Sequence, residues 1–185
     1  MGAMLRQDMC TQNDYVRLFA DSAEPLRWLC YTLTGNEELS GKVLKAALAQ
    51  SLKGADCVFR DWMVSWARRL IIQACIALVR PTGYLLEDCA CLHSREDGSG
   101  VSDQLELALS QSSDALQTRL LHLDPLPRFV FVLRALEGYS RRETALHLGI
   151  SDRGCESIFV SALEIVQPKG YVLRPTSTDP QFVAI

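Results

Sequence analysis

The chain has 185 residues, a formal net charge of −3 and a hydrophobic content of 48%. This length suits one domain or two small ones, and the apolar content is enough for packed cores. The small negative charge provides no overall attraction to nucleic acid, and no apolar run reaches the roughly 20 residues of a membrane-spanning helix. The cysteines are odd in number and scattered through helical segments, which predicts reduced thiols in the cytoplasm rather than a disulfide framework.

Four stretches of helical periodicity follow one another in the amino-terminal half. Pro25 and Gly35 separate the first three, because proline and glycine favour helix ends. Asn36 is a suitable amino-terminal cap for the third helix. The predicted helices cover 15–24, 26–33, 37–52 and 59–80. The tryptophans recur at helical spacing among aliphatic residues, which predicts that they anchor the core: Trp28, Trp62 and Trp66.

The composition changes after the fourth helix. Glycine, serine and mixed charges over 81–102 predict a linker between two helical modules. Helices resume over 103–123, and a further helix is predicted over 128–136, after two prolines. The segment 168–185 contains three prolines and no helical period, which predicts an extended or disordered tail.

A helix-turn-helix motif is predicted between Tyr139 and Glu164. Ser140 and Glu143 have the spacing of a capping box, so a helix should begin directly after Ser140. Gly149 can take the left-handed conformation at its end, and Ser151 can cap a second helix. Two short helices joined by a tight glycine turn define the motif. Its predicted apolar face consists of Ala145, Leu148, Ile150, Cys155, Phe159 and Ala162.

This order of features resembles the small sigma factors of the extracytoplasmic-function type, which bind bacterial RNA polymerase and read promoters through two domains, region 2 and region 4. Leu33-Thr34-Gly35-Asn36, Phe59-Arg60-Asp61-Trp62 and Trp66-Ala67-Arg68-Arg69 are similar to the framework of region 2. Leu123-Asp124-Pro125-Leu126-Pro127, Leu136-Glu137-Gly138-Tyr139-Ser140 and Leu148-Gly149-Ile150-Ser151 are similar to region 4. The expected fold is all-α, with two small helical bundles joined by a linker. The expected parts are a region 2-like bundle at 5–80, a linker at 81–102, a region 4-like helix-turn-helix bundle at 103–167 and a tail at 168–185.

The resemblance places the polymerase-docking positions of the family on the third helix. Gly41 and Lys42 stand where the family has carboxylates, and Lys45 and Ala46 stand where it has a Gln-Glu pair. Exchanging a carboxylate for a lysine removes attraction to the partner and adds repulsion. We therefore expect weakened docking on polymerase, with Lys42 and Lys45 as candidates for contact with another protein.

The second helix of the motif departs from the family on its DNA-facing side. It carries one arginine against three carboxylates, whereas family members place several lysines and arginines there, and phosphate neutralisation supplies much of DNA affinity. The candidates for protein contact on this helix are Glu156, Val160, Leu163 and Glu164. Packing of the two modules on each other is the alternative role for its apolar members.

The candidate DNA contacts are Arg60, Arg68, Arg69, Arg80, Arg141, Arg142, Arg153 and Ser157. For the arginines within 60–80, a solvated basic face on a core helix is the alternative.

Cys89, Cys91 and His93 form a metal-like cluster in the linker. Zinc sites usually have at least two residues between paired cysteines and need a fourth ligand, so a reduced loop without metal is the preferred interpretation. A metal or redox sensor that uses these thiols is an alternative function. The chain has no phosphate-binding glycine loop and no nucleophile–base pair at an interpretable spacing, so we expect neither an enzyme nor a cofactor.

The leading hypothesis is a degenerate sigma-factor-like protein of the cytoplasm that acts through protein–protein contacts as a regulator or adaptor. Its partner would be a regulatory protein or RNA polymerase, with weak DNA binding and no membrane contact. The main alternative is a functional sigma factor that binds both polymerase and promoter DNA.

Overall fold

The computed structural model describes residues 9–54, 58–81 and 98–167, without the side chains of 98–103. The helices are α1 (Gln12–Asp21), α2 (Ala23–Thr34), α3 (Glu37–Lys53), α4 (Met63–Val79), α5 (Gly98–Leu109), α6 (Ser113–Leu121), α7 (Pro125–Phe131), α8 (Arg141–Leu148) and α9 (Asp152–Val166). A 3-10 turn, Arg60–Trp62, precedes α4, and a π-helical turn, Val132–Leu136, extends α7. The all-α prediction is confirmed.

Helix ends in the amino-terminal half follow local chemistry, with one exception. The Asn36 side chain accepts a hydrogen bond from the Leu39 amide at 3.0 Å, so α3 begins where predicted. Gly35 ends α2 in the left-handed conformation with φ 67°. Pro25 does not separate α1 from α2, and the prediction that it does is wrong. It lies in the first turn of α2, where the amide that proline lacks would have no helical partner, and the break falls at Ser22.

Other boundaries also differ from prediction. Helix α1 begins at Gln12 rather than at 15, and α4 begins at Met63 rather than at 59. The helix expected to start at 103 begins at Gly98, inside the predicted linker. The stretch 103–123 is divided into α5 and α6, because Ser112 caps α6 by accepting from the Ala115 amide at 3.4 Å. Finally, α7 begins at Pro125, since proline suits the first helical position. Most of the predicted linker and the whole predicted tail lie outside the described residues.

One continuous hydrophobic core connects the two predicted modules. Helix α2 packs against α3 and α4 within its own module and also contacts α6 and α7, while α9 packs against α5, α6, α7 and α8. We call the contact region of α2 with α6 and α7 the seam. Large side chains buried completely in this core include Leu29, Leu33, Ile71, Phe129, Phe131 and Leu133. A smaller cluster joins α1 to α4 through Cys10, Tyr15, Leu18, Val58 and Ala67.

The segment around α4 is the most apolar helical part. Among the described residues, only Arg60–Val79 is long and apolar enough to cross a membrane, judged by length and composition alone. Its Ala67, Leu70 and Ile71 are buried in the protein, whereas its Val64 and Leu78 are exposed.

The tryptophan prediction is wrong for two of the three residues. Trp62 is 70% exposed and Trp66 is 37% exposed, whereas Trp28 is half-buried against the main core. Trp62 precedes α4 in the 3-10 turn, so the spacing of an α-helix does not set its direction. Its ring meets the ring of Phe59 edge-on at 6.4 Å, and Phe59 is exposed too.

Candidate functional site

The helix-turn-helix motif is formed by α8 and α9, as predicted. The Ser140 hydroxyl accepts from the Glu143 amide at 3.2 Å, and the Glu143 carboxylate accepts from the Ser140 amide at 2.9 Å. The Ser140 hydroxyl also donates to the Glu143 carboxylate at 2.7 Å. This hydrogen bond, followed by the one from the Ser140 amide, holds the pKa of the Glu143 carboxyl below its ordinary value of 4.5. Gly149 has φ 68°, and the Ser151 hydroxyl accepts from the Gly154 amide at 3.0 Å to start α9.

The predicted apolar face of the motif is confirmed. Ala145, Leu148, Cys155, Phe159 and Ala162 are buried, and Ile150 packs against them half-buried. The Phe159 ring stacks on Phe131 with centroids 6.0 Å apart, which fixes α9 against α7. Burial raises the pKa of the Cys155 thiol, so it remains protonated in the core.

The outward face of α9 is the surface that a helix-turn-helix would present to a partner. Arg153 and Glu164 are exposed on it, and Glu156, Ser157, Val160 and Ser161 are half-buried. The prediction that Leu163 is available for protein contact is wrong. Its side chain is completely buried in the core, next to the core position of Ala162. It is therefore no part of that surface.

Arginines from other elements neutralise two of the three carboxylates of α9. Arg134 donates from Nη1 to Oε2 of Glu156 at 2.7 Å, and its guanidinium lies 4.1 Å from the centroid of the Phe159 ring. Arg141 at the start of α8 lies 4.0 Å from the Asp152 carboxylate. A charge count along α9 alone misses both arginines. The face is therefore close to neutral, with Glu164 and Arg153 exposed and Arg142 exposed nearby on α8.

The predicted DNA contacts around α4 have different surroundings. Arg60 is exposed, and its guanidinium lies 3.4 Å from the Asp14 carboxylate. Arg69 is exposed on α4. Arg80 is exposed directly after the end of α4, in the left-handed conformation with φ 46°. Arg68 makes a two-point ion pair with Glu137, its Nε donating to Oε2 at 2.9 Å and its Nη2 donating to Oε1.

The Arg68–Glu137 pair joins residues of the two modules. Only 5% of the Glu137 side chain is exposed. Its hydrogen bonds to the Glu137 carboxylate raise the pKa of the Arg68 guanidinium. No local pattern in the sequence indicates this pair, since Arg68 and Glu137 are 69 positions apart.

A cleft opens beside this ion pair, between α4 and the turn before α8. Its volume is about 420 Å³, and it is lined by Ser65, Arg68, Arg69, Leu136, Glu137, Gly138, Tyr139 and Glu143. Cations of α4 thus face carboxylates of the helix-turn-helix module across one cleft.

The predicted polymerase-docking positions lie on the outer side of α3. The Lys42 ammonium lies 2.7 Å from the Glu38 carboxylate one turn earlier and holds the pKa of that carboxyl below its ordinary value. Lys45 and Ala46 are exposed, and Gly41 is half-buried. The structure therefore leaves both lysines at a solvent-facing surface.

The metal-like cluster of Cys89, Cys91 and His93 lies outside the described residues. Within 9–54, 58–81 and 104–167, no group of three or more His, Cys, Asp or Glu side chains is arranged to hold a metal ion. The cysteines that the structure describes there, Cys10, Cys30, Cys75 and Cys155, are free thiols buried in the protein.

Comparison with known families identifies the helix-turn-helix module. Residues 113–163 match the family model described as Sigma-70, region 4, which is about a quarter of the chain. The match begins where α6 begins and ends within α9, so it covers the bundle that contains the motif. A comparison with curated proteins gave no match. The helix-turn-helix part of the chain is therefore similar to Sigma-70 region 4, which indicates a sigma-factor-like, transcription-related protein.

Proposed function

We propose that this chain is a degenerate sigma-factor-like protein of the cytoplasm that acts through protein–protein contacts, as a regulator or adaptor, rather than by promoter recognition. The observation that carries the proposal is the outward face of α9. Its basic residues are few, and the nearby Arg134 and Arg141 face carboxylates of the same module. A duplex would have to compete with those carboxylates for each guanidinium.

The surface of α3 supports the same proposal. A polymerase surface that complements the acidic residues of the family would meet Lys42 and Lys45, both exposed. Like charges at a docked interface cost several kcal/mol, so capture of polymerase should be weak. The same lysines suit a protein partner with acidic side chains.

A restoration experiment tests the proposal. The variant Gly41→Asp, Lys42→Glu, Lys45→Gln, Ala46→Glu returns the chemistry of the family to α3. We expect it to capture purified core RNA polymerase at least about 10-fold better than the unchanged chain, because tenfold corresponds to only about 1.4 kcal/mol. Lys53→Glu, at the last position of the same helix, is the control and should have little effect.

DNA binding is measured in parallel by fluorescence anisotropy with a promoter duplex at two salt concentrations. We expect weak binding from the unchanged chain. Efficient capture of polymerase together with tight, salt-sensitive promoter binding by the unchanged chain would refute the degenerate assignment.

A functional sigma factor is the second candidate, and one surface favours it. Phe59, Trp62 and Trp66 expose aromatic rings around the start of α4, where Arg60 is exposed too. Exposed rings next to cations can stack on unpaired bases. If this candidate is correct, Trp62→Ala should weaken binding to single-stranded DNA, whereas Val16→Ala, which removes an exposed apolar side chain from α1, should not.

A further inference from the structure

Helix α5 carries a groove that none of the described residues fills. Its volume is about 460 Å³, and it is lined by Leu105, Glu106, Leu109 and Ser110. Leu105 is partly buried against the main core, whereas Leu109 is 40% exposed. We call this surface the α5 groove. It is continuous with the core of the helix-turn-helix module and offers two leucine side chains to a further apolar segment.

The chain leaves α9 beside the α5 groove. Gln111, which follows Ser110, donates from Nε2 to the Val166 carbonyl at 3.1 Å. Arg119 of α6 donates from Nη1 to the Gln167 carbonyl. Gln167 is the last described residue, so the point from which the chain continues is fixed against the carboxyl end of α5.

The conformation of Gln167 directs the chain onward. It is extended, with φ −60° and ψ 146°, because Pro168 follows and disfavours a helical conformation in the residue before it. The side-chain nitrogen of Gln167 is buried and has no hydrogen-bond partner within the described part of the chain. Buried donors normally find an acceptor, and a backbone carbonyl of the segment that follows would supply one. The exit from α9 therefore favours a chain that continues along the protein.

An apolar triplet follows within reach of the α5 groove. Tyr171, Val172 and Leu173 are four to six residues beyond Gln167. An extended chain of that length spans about 13 to 20 Å, and the groove ends one residue before Gln111, which contacts the end of α9. The later apolar group at 182–185 would have to close a longer loop, which costs more conformational entropy.

We propose that the segment 171–173 docks in the α5 groove as an extended chain. Alternate side chains of an extended segment point to opposite sides, so Tyr171 and Leu173 face the leucines of α5 and Val172 faces away. Because α5 packs against α9, the docked segment ties the end of α9 to α5 and belongs to the helix-turn-helix module. The docking is independent of whether the chain binds polymerase or DNA.

Limited proteolysis of the full chain by chymotrypsin tests the docking, since this protease cuts after Tyr171 and after Phe182. Cleavage proceeds from the undocked population, so a segment that is docked about four-fifths of the time is cut about 5-fold more slowly. Leu109→Asp places a carboxylate in the groove and should accelerate cleavage after Tyr171 by about 5-fold, with little change after Phe182. Leu109 is already partly exposed, so the variant should fold, which circular dichroism checks.

Leu146→Asp is the matched control. It makes the same change at an exposed leucine of α8, where 82% of the residue is accessible, and should alter neither cleavage rate. Docking is overturned if Leu109→Asp accelerates cleavage after Tyr171 no more than Leu146→Asp does. Equal acceleration after Tyr171 and after Phe182 overturns it too, because the effect would then not be confined to the segment 171–173.

Photo-crosslinking identifies the occupant without a charged substitution in the groove. Leu109 is replaced by p-benzoylphenylalanine in the full chain, and the cross-linked peptides are sequenced by mass spectrometry after irradiation. We expect a cross-link within one chain to residues 171–173. A dominant cross-link to 82–97, to 182–185 or to a second copy of the chain would assign the groove to that occupant and overturn the proposal, as would the absence of any cross-link.

Discussion

The contact between Gly35 and Arg128 gives the sharpest test of how the two modules are joined. Gly35 ends α2 with φ 67°, and a Cβ added to it would lie 2.7 Å from Nη1 of Arg128 on α7. That guanidinium ends a flexible side chain, but Arg128 as a whole is only 7% exposed, so the guanidinium cannot move without disturbing its surroundings at the seam. Burial also lowers the pKa of the Arg128 guanidinium, an effect that the Asp124 carboxylate opposes.

Gly149 provides the matched control. It ends α8 in the same conformation, with φ 68°, and a Cβ added to it would meet nothing within 4 Å. A left-handed non-glycine residue costs about 1–2 kcal/mol, so both alanine substitutions should reduce the free energy of unfolding by this amount. Gly35→Ala should cost about 1 kcal/mol more, because the displaced guanidinium loses its hydrogen bond to the Thr32 carbonyl.

The assay is urea unfolding followed by circular dichroism, with each substitution also made in an Arg128→Ala background. There the extra cost of Gly35→Ala should disappear while the cost of Gly149→Ala is unchanged, since only contacting residues couple. Equal losses for the two glycine variants in the unchanged chain would refute the reasoning. An extra cost that persists without the Arg128 side chain would refute it too.

Two further predictions concern the helix-turn-helix module. The pKa of Glu143 is lowered by folding, so its contribution to stability is present above pH 4.5 and is lost as the pH falls through the lower value of the folded state. Urea unfolding of Glu143→Gln should therefore differ from that of the unchanged chain at pH 7 and converge with it in acid, and a difference independent of pH would contradict this. Phe159→Ala should cost about 3–5 kcal/mol in the same assay because the ring is buried against Phe131. Ile165→Ala, on a side chain that is 56% exposed, should remain within about 0.5 kcal/mol, and similar losses for the two would contradict the assigned packing.

Local signals predicted the helix-turn-helix well. Capping by Ser140 and Glu143, the left-handed Gly149 and the cap at Ser151 depend on atoms within four residues of each other, so their chemistry can be inferred from spacing alone. The apolar face was predictable for the same reason, since helical periodicity defines one side of α9. Prediction failed where periodicity does not apply, as at Trp62 in its 3-10 turn.

The sequence by itself determined the all-α class, several helix ends and the form of the motif, because these follow from contacts between near neighbours. Only the tertiary structure decided which charges are neutralised. Arg134 pairs with Glu156 and Arg68 pairs with Glu137 through folding that brings separate helices together. The tertiary structure also decided that Leu163 is buried and that α2 packs against α6 and α7 in one shared core. Ion pairs and burial of this kind depend on distances in space, which the order of residues along the chain does not specify.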